Sequence, residues 1–212
     1  MKHDFVTELP EGKLKISRLG RPLGQPSDEP EMLSCFVTFI DPEEDSLIRQ
    51  TYGVAGLRRH KLLRITGEAY EQSVELSQEV ISFDILGCGL RTLQRDVALF
   101  SSYGVHVPFQ RSPNPARYKR FTYRVASAKK YLEGNTREEI ASYLCHDVHS
   151  IGRFIDDFAR FVRLAGSGIS LAHISTVVDC PDNLLQEFLI LFRDYNTPQL
   201  FKRLDLFAQS AS

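Results

Sequence analysis

The spacing of hydrophobic and polar positions changes near residue 41. Before it, Lys13–Ser17 alternates polar and apolar residues, and Cys35–Ile40 is rich in β-branched and aromatic residues, as is typical of strands. Seven Pro and Gly residues within positions 1–31 exclude long helices there. The pattern predicts two short strands that pair around a Pro-rich loop as a small sheet.

From Asp41 onward, apolar residues recur at helical spacing. Asp41 is an N-cap followed by Pro42 at the first helical position, which predicts a helix that ends near Gly53. A longer helix is predicted over residues 55–72, and further helices separated by short turns follow it. The predicted fold class is mainly α, with a small N-terminal β element followed by tandem helix-turn-helix units.

The first helix-turn-helix pattern spans Leu76–Val97. Ser77 caps a short helix, Gly87 supplies the left-handed residue that ends it, and a second helix follows. In that second helix Leu93 and Val97 face inward. The outward side chains are of the types that contact base edges and phosphates, namely Arg91, Thr92, Gln94 and Arg95. The pattern predicts a DNA-recognition helix, and a purely structural helical hairpin is the alternative.

Two further segments repeat this layout. In the second, Thr136 and Glu139 form a capping box and Asp147 caps the next helix. The outward positions of that helix that are predicted to contact DNA are His149, Ser150 and Arg153. The third segment, Ser170–Phe188, has an acidic second helix that is apolar nearly all round. We expect that helix to be buried, either in the core or in a homodimer formed by the apolar C-terminal helices.

The charge distribution strengthens the expectation of a nucleic-acid partner. The 212 residues carry a formal net charge of −1. Residues 1–53 hold 6 Lys and Arg against 10 Asp and Glu, residues 54–130 hold 13 against 6, and residues 131–212 hold 7 against 11. A basic middle between acidic flanks indicates that one region meets a polyanion, and a solvated basic face is the alternative. The cations predicted to hold phosphates are Arg58, Arg59, Lys61, Arg64, Arg111, Arg117, Lys119, Arg120 and Arg124.

Other kinds of chemistry find little support in the sequence. The longest apolar run, Phe188–Phe192, is far shorter than the roughly 20 residues of a membrane span. The four Cys residues include no pair with the spacing of a zinc site. No group of acids or nucleophiles has the spacing of a catalytic centre. We therefore expect a cytoplasmic protein that is not an enzyme, has no cofactor or bound metal, and does not enter a membrane.

These patterns predict an organisation in four parts. An acidic N-terminal region with short strands covers residues 1–53, and a first helix-turn-helix domain covers 54–110, with a wing at 104–109. A basic linker and helix start cover 111–130, and the second and third units cover 131–212.

With these units in place, the chain resembles a prokaryotic family of unassigned function, domain-of-unknown-function family 1670. The residues that carry the resemblance are 36–39, 57–64, 68–72, 91–97, 131–134, 140–141, 149–151 and 153–158. The resemblance covers roughly residues 32–195, and it implies a bacterial or archaeal DNA-binding factor with tandem helix-turn-helix units. One departure is that the leading helix of the first unit has an extra residue, so that Phe83 stands where a small residue is usual. Either that helix is shifted by one residue or the unit is partly degenerate.

The sequence thus predicts a sequence-specific protein that binds double-stranded DNA, a transcriptional regulator that uses helix-turn-helix units. The alternative is a non-catalytic interaction or assembly protein, such as an accessory factor of a mobile element, whose units contact other proteins. The basic middle favours DNA binding, because an assembly module has no need for an excess of seven positive charges there.

Overall fold

The computed structural model describes residues 5–8, 12–20, 31–110, 121–195, 202 and 204. The fold is mainly α with a small N-terminal sheet, as predicted. The chain divides into two compact units, Met1–Arg120 and Phe121–Ser212. The predicted boundary at residue 53 is wrong, because the residues on both sides of it belong to the first unit. The predicted segment 111–130, a basic linker and helix start, does contain the start of the first helix of the second unit.

The sheet has three antiparallel strands in the order β1-β2-β3. Strand β1 is Phe5–Glu8, β2 is Lys13–Gly20 and β3 is Glu31–Thr38. The pairing of the two predicted strands is confirmed, whereas β1 was not predicted because four residues are too few for a clear alternation. One face of β2 and β3 is buried, and burial raises the pKa of the Cys35 thiol on that face to about 11.

Helix α1, Pro42–Glu71, follows the sheet and packs against β3. The Asp41 side chain accepts a hydrogen bond from the Glu44 amide at 3.0 Å, so the predicted N-cap is confirmed. Gly53 interrupts the helix with φ 71°, in the left-handed region that favours glycine, and so marks the predicted break. Half of the helix residues after the break are buried.

A π-helix, Val80–Ile85, precedes helix α2, Leu90–Ser102. Gly87 lies between them with φ 58°, as the predicted turn requires. The predicted wing at 104–109 is wrong. Val105, Val107 and Phe109 are all buried, and the segment pairs through a single parallel bridge to Leu76 instead of forming an exposed hairpin within the described residues.

The second unit consists of helices joined by short turns. They are α3, Tyr123–Leu132; α4, Arg137–Leu144; α5, Val148–Gly166; α6, Leu171–Val178; and α7, Asp182–Tyr195. No helix in the described part of the chain has both the length and the apolar character required to cross a bilayer.

Three phenylalanine rings pack together in the core of this unit. The ring of Phe188 on α7 lies 5.3 Å from the ring of Phe158 and 5.5 Å from that of Phe161, both on α5, measured between ring centroids. Such pairs add to the free energy gained by burying their area, so α5 and α7 are held together at this point.

The two predicted helix-turn-helix segments of this unit share a local layout. In each, an eight-residue helix ends at a left-handed residue, Cys145 with φ 52° or Asp179 with φ 51°, and a second helix begins three residues later. The capping box of Thr136 and Glu139 is confirmed, and Asp147 accepts from the Ser150 amide at 3.0 Å. The local order of helix, turn and helix is therefore as predicted.

Candidate nucleic-acid interface

The outward face of α2 carries three exposed polar side chains. Arg91, Gln94 and Arg95 are exposed, whereas Leu93 and Asp96 on the opposite side are buried. Positions three and four apart lie side by side on a helix, so the three side chains form one stripe. Arg91 and Arg95 make no ion pair with another described residue. Thr92, also predicted to face outward, is half-buried at the border of the stripe.

A buried carboxylate fixes α2 against α1. Asp96 is 2% exposed and lies 2.8 Å from Nε of Arg58 and 2.7 Å from Nε of Arg59. Hydrogen bonds between ionised partners are stronger than neutral ones, so this contact holds the two helices together. Asp96 was not singled out by sequence reasoning. The sequence feature that could have identified it is an acid on the inward side of an otherwise basic helix segment.

Most of the positive charge of the basic run at residues 58–64 is paired with acids within the fold. Arg64 is 6% exposed, and its guanidinium lies 3.0 Å from Glu44 and 2.9 Å from Asp45, while its Nε donates to the Thr38 carbonyl. Lys61 lies 2.8 Å from the other oxygen of Asp45. The expectation that Arg64 holds a phosphate is therefore wrong, because its charge is buried and matched by acids from the start of the same helix.

The remaining cations of the run are also matched by acids. Arg58 and Arg59 share the Asp96 carboxylate, and Lys61 pairs with Asp45. These pairs correct the expectation that the whole run faces a polyanion. Counting charges along the sequence missed them, because the acids are distant in the chain.

The second basic stretch is only partly described. Arg111, Arg117, Lys119 and Arg120 lie outside the described residues. Arg124 is half-buried, with its guanidinium 3.5 Å from the Asp157 carboxylate and 5.3 Å from the centroid of the Phe154 ring. Burial raises the pKa of Asp157, although Arg124 acts against this rise.

The start of α5 bears two of its three predicted contact residues on the surface. His149 and Arg153 are exposed. Ser150 is 4% exposed, and its hydroxyl accepts a hydrogen bond from Arg153 at 2.9 Å. The prediction that Ser150 touches DNA is therefore wrong, because this side chain faces the interior. One turn later Asp156 pairs with Arg160 at 3.0 Å.

Helix α7 is buried through its own unit. Leu184, Leu185, Phe188 and Leu191 are all buried, and Phe188 belongs to the aromatic core. The sequence predicted that this helix is buried either in the core or in a homodimer. Most of its apolar side chains lie in the core of their own unit. Ile190 is the large apolar residue of α7 that stays exposed.

The leading helix of the first unit is shifted by one residue, which decides between the two alternatives left open by its extra residue. The Leu86 amide donates to the Ile81 carbonyl at 2.8 Å. This hydrogen bond joins residues five apart, as in a π-helix, so the turn contains one more residue than an α-helical turn. Ser82 is fully buried and donates to the Cys88 carbonyl at 2.6 Å, whereas Phe83 is 59% exposed. Ser82 therefore takes the place of the small inward residue.

The family model described as "Protein of unknown function (DUF1670)" matches residues 14–191. None of the curated proteins matches the chain, and no solved structure does so. The resemblance seen in the sequence is confirmed, and this chain belongs to the DUF1670 family.

Proposed function

We propose that this protein is a sequence-specific DNA-binding regulator that reads double-stranded DNA with α2. The observation that supports this proposal is the exposed stripe of Arg91, Gln94 and Arg95. Arginine recognises guanine, and glutamine recognises adenine, through paired hydrogen bonds in the major groove. A helix that presents both types on one exposed face, after a tight turn at Gly87, suits this task.

The buried contact of Asp96 supports the same proposal. Base recognition requires a helix whose position is set before binding, and Asp96 ties α2 to two arginines of α1. In this proposal the run at 58–64 supplies few phosphate contacts, because most of its charge is paired with acids. His149 and Arg153 at the start of α5 provide a second set of exposed contacts.

The test is fluorescence anisotropy with a labelled random duplex over a series of salt concentrations. Wild type is compared with the double variant Arg91→Ala/Arg95→Ala. We expect weaker binding by the variant at every salt concentration. We also expect a log–log salt slope shallower by up to about 2, because each lost phosphate contact removes about 0.9.

The matched control is Arg160→Ala/Arg163→Ala, which removes two exposed arginines from α5 near Asp156. We expect this control to bind like wild type. Equal binding by the wild type and the α2 variant would contradict the proposal. A positive result leads to selection of a preferred sequence from a random library.

The assembly function is the second candidate. The observation that favours it is the pairing of Arg58, Arg59, Lys61 and Arg64 with internal acids, which removes part of the charge argument against it. If no duplex is bound even at low salt, the search turns to a protein partner.

A further inference from the structure

The sheet exposes apolar side chains on one of its two faces. Phe36 is 48% exposed and Met32 is 67% exposed, although the alternate residues of β3, Cys35 and Val37, are fully buried. We call the exposed side the open face. On β2 and β3, the residues of this side whose side chains are described are Lys13, Lys15, Ser17, Met32, Ser34, Phe36 and Thr38.

Two lysines of β2 lie on the open face with the exposed ring. Lys15 is the cross-strand neighbour of Phe36, and its Nζ lies 5.9 Å from the ring centroid. Lys13 is on the same side of β2, two residues away and therefore about 6.8 Å along the strand. The described residues of the open face include no acid. An aromatic ring beside two cations is complementary to a ligand that has both flat rings and negative charge.

The backbone beneath this ring is held by α1. The Gln72 amide accepts from the Phe36 N–H at 2.9 Å and donates to the Phe36 carbonyl at 2.8 Å. The Glu68 carboxylate accepts from the Thr38 N–H, and burial raises the pKa of Glu68. The fold thus fixes the position of Phe36 while its ring remains in contact with water.

We propose that the open face binds single-stranded nucleic acid. One base stacks on the Phe36 ring, and Lys13 and Lys15 hold the neighbouring phosphates. Stacking on an exposed aromatic ring accepts any base, whereas recognition in a duplex requires groove contacts, so this surface is suited to an unpaired strand. The inference does not depend on α2 and extends beyond duplex binding.

The first test uses tryptophan fluorescence of the full chain. The sequence contains no Trp, so Phe36→Trp introduces a single indole on the open face. Titration with a 15-residue oligothymidylate at low salt is expected to quench the emission as a base stacks on the indole. Phe83→Trp is the matched control, because Phe83 is a similarly exposed Phe on the π-helix and not part of the open face, and we expect no quenching there. Quenching of neither variant, or equal quenching of both, overturns the proposal.

The second test measures affinity for the same labelled oligonucleotide by anisotropy. We expect Phe36→Ala to weaken binding at least about fivefold, the effect of losing one stacked base. Lys13→Ala/Lys15→Ala is expected to make the salt slope shallower by about 1.4, because a single strand releases about 0.7 counterion per phosphate contact. Thermal melts check that each variant is folded.

The arms of the experiment separate this inference from the α2 function and from a membrane surface. Arg91→Ala/Arg95→Ala is expected to keep the affinity for oligothymidylate while losing affinity for the duplex. Unchanged binding by Phe36→Ala overturns the proposal. A blue shift of Phe36→Trp with vesicles of anionic phospholipid, without a response to oligothymidylate, also overturns it and assigns the face to lipid.

Discussion

At the scale of the residue, the difference between Arg91 and Arg58 shows what a sequence can predict. The exposure of Arg91 was predictable, because helical periodicity places it opposite Leu93. The partner of Arg58 was not, because Asp96 lies 38 residues away and reaches it only when α1 and α2 pack together. From sequence alone, a cation in a basic run can therefore be either an exposed phosphate contact or one half of an internal ion pair. The fold decides between the two, because it shows which acids lie nearby.

We predict that Asp96→Asn destabilises the protein by about 2–4 kcal/mol. The variant keeps the shape of the side chain but leaves Arg58 and Arg59 without their carboxylate. A charged group that loses its partner in a largely buried site lowers the free energy of unfolding. Urea denaturation measures the change. Asp84→Asn, at an exposed acid of the π-helix, is the control and is expected to stay within about 0.5 kcal/mol of wild type. If Asp96→Asn lowers the free energy of unfolding by no more than this control does, the contact does not stabilise the helix pair.

At the scale of the element, helix ends were predicted more accurately than isolated strands. The caps at Asp41, Thr136 and Asp147 depend on side chains within three residues of the amides they bind, so the local sequence contains the whole signal. The segment 104–109 has the alternation of an exposed wing, yet its apolar residues are buried in the unit. An alternation of apolar and polar residues predicts an extended segment, but it does not predict which part of the protein that segment packs against.

We predict that deletion of Phe83 is tolerated. A π-turn has one residue more than an α-turn, and Phe83 is exposed, so its removal allows ordinary α-helical bonds without emptying the core. Deletion of Ala98, an exposed residue of α2, is the control. It rotates the following residues by about 100° and takes Phe100 out of the core. Thermal melts followed by circular dichroism compare the two, and an equal loss of stability would contradict the prediction.

At the scale of the whole molecule, the division into units could not be inferred from composition. The acidic and basic thirds of the sequence predicted a boundary near residue 53, but Gly53 only interrupts α1, and the residues on both sides of it belong to the same unit. The second unit begins at Phe121, within the segment 111–130 that was expected to hold a basic linker and a helix start. The charge distribution therefore predicts a nucleic-acid partner but not the bounds of the units. Those bounds depend on how the helices and strands pack.

We predict that a fragment of residues 121–212 folds by itself. Its core consists of its own residues and includes an aromatic cluster, in which Phe188 packs against Phe158 and Phe161. Urea denaturation of the fragment is expected to show one cooperative transition. In the fragment, Phe188→Ala is expected to lower the free energy of unfolding by about 3–5 kcal/mol. A fragment without a cooperative transition would contradict the independence of this unit.

The contact of Gln72 with Phe36 has a consequence for solubility. Strand β3 is at the edge of the sheet, where unpaired amides and carbonyls invite a strand from another molecule. Gln72 occupies both backbone groups of Phe36, and Glu68 occupies the amide of Thr38, so an incoming strand finds these positions already bonded. The chain can therefore display a phenylalanine on an edge strand while resisting aggregation through that edge.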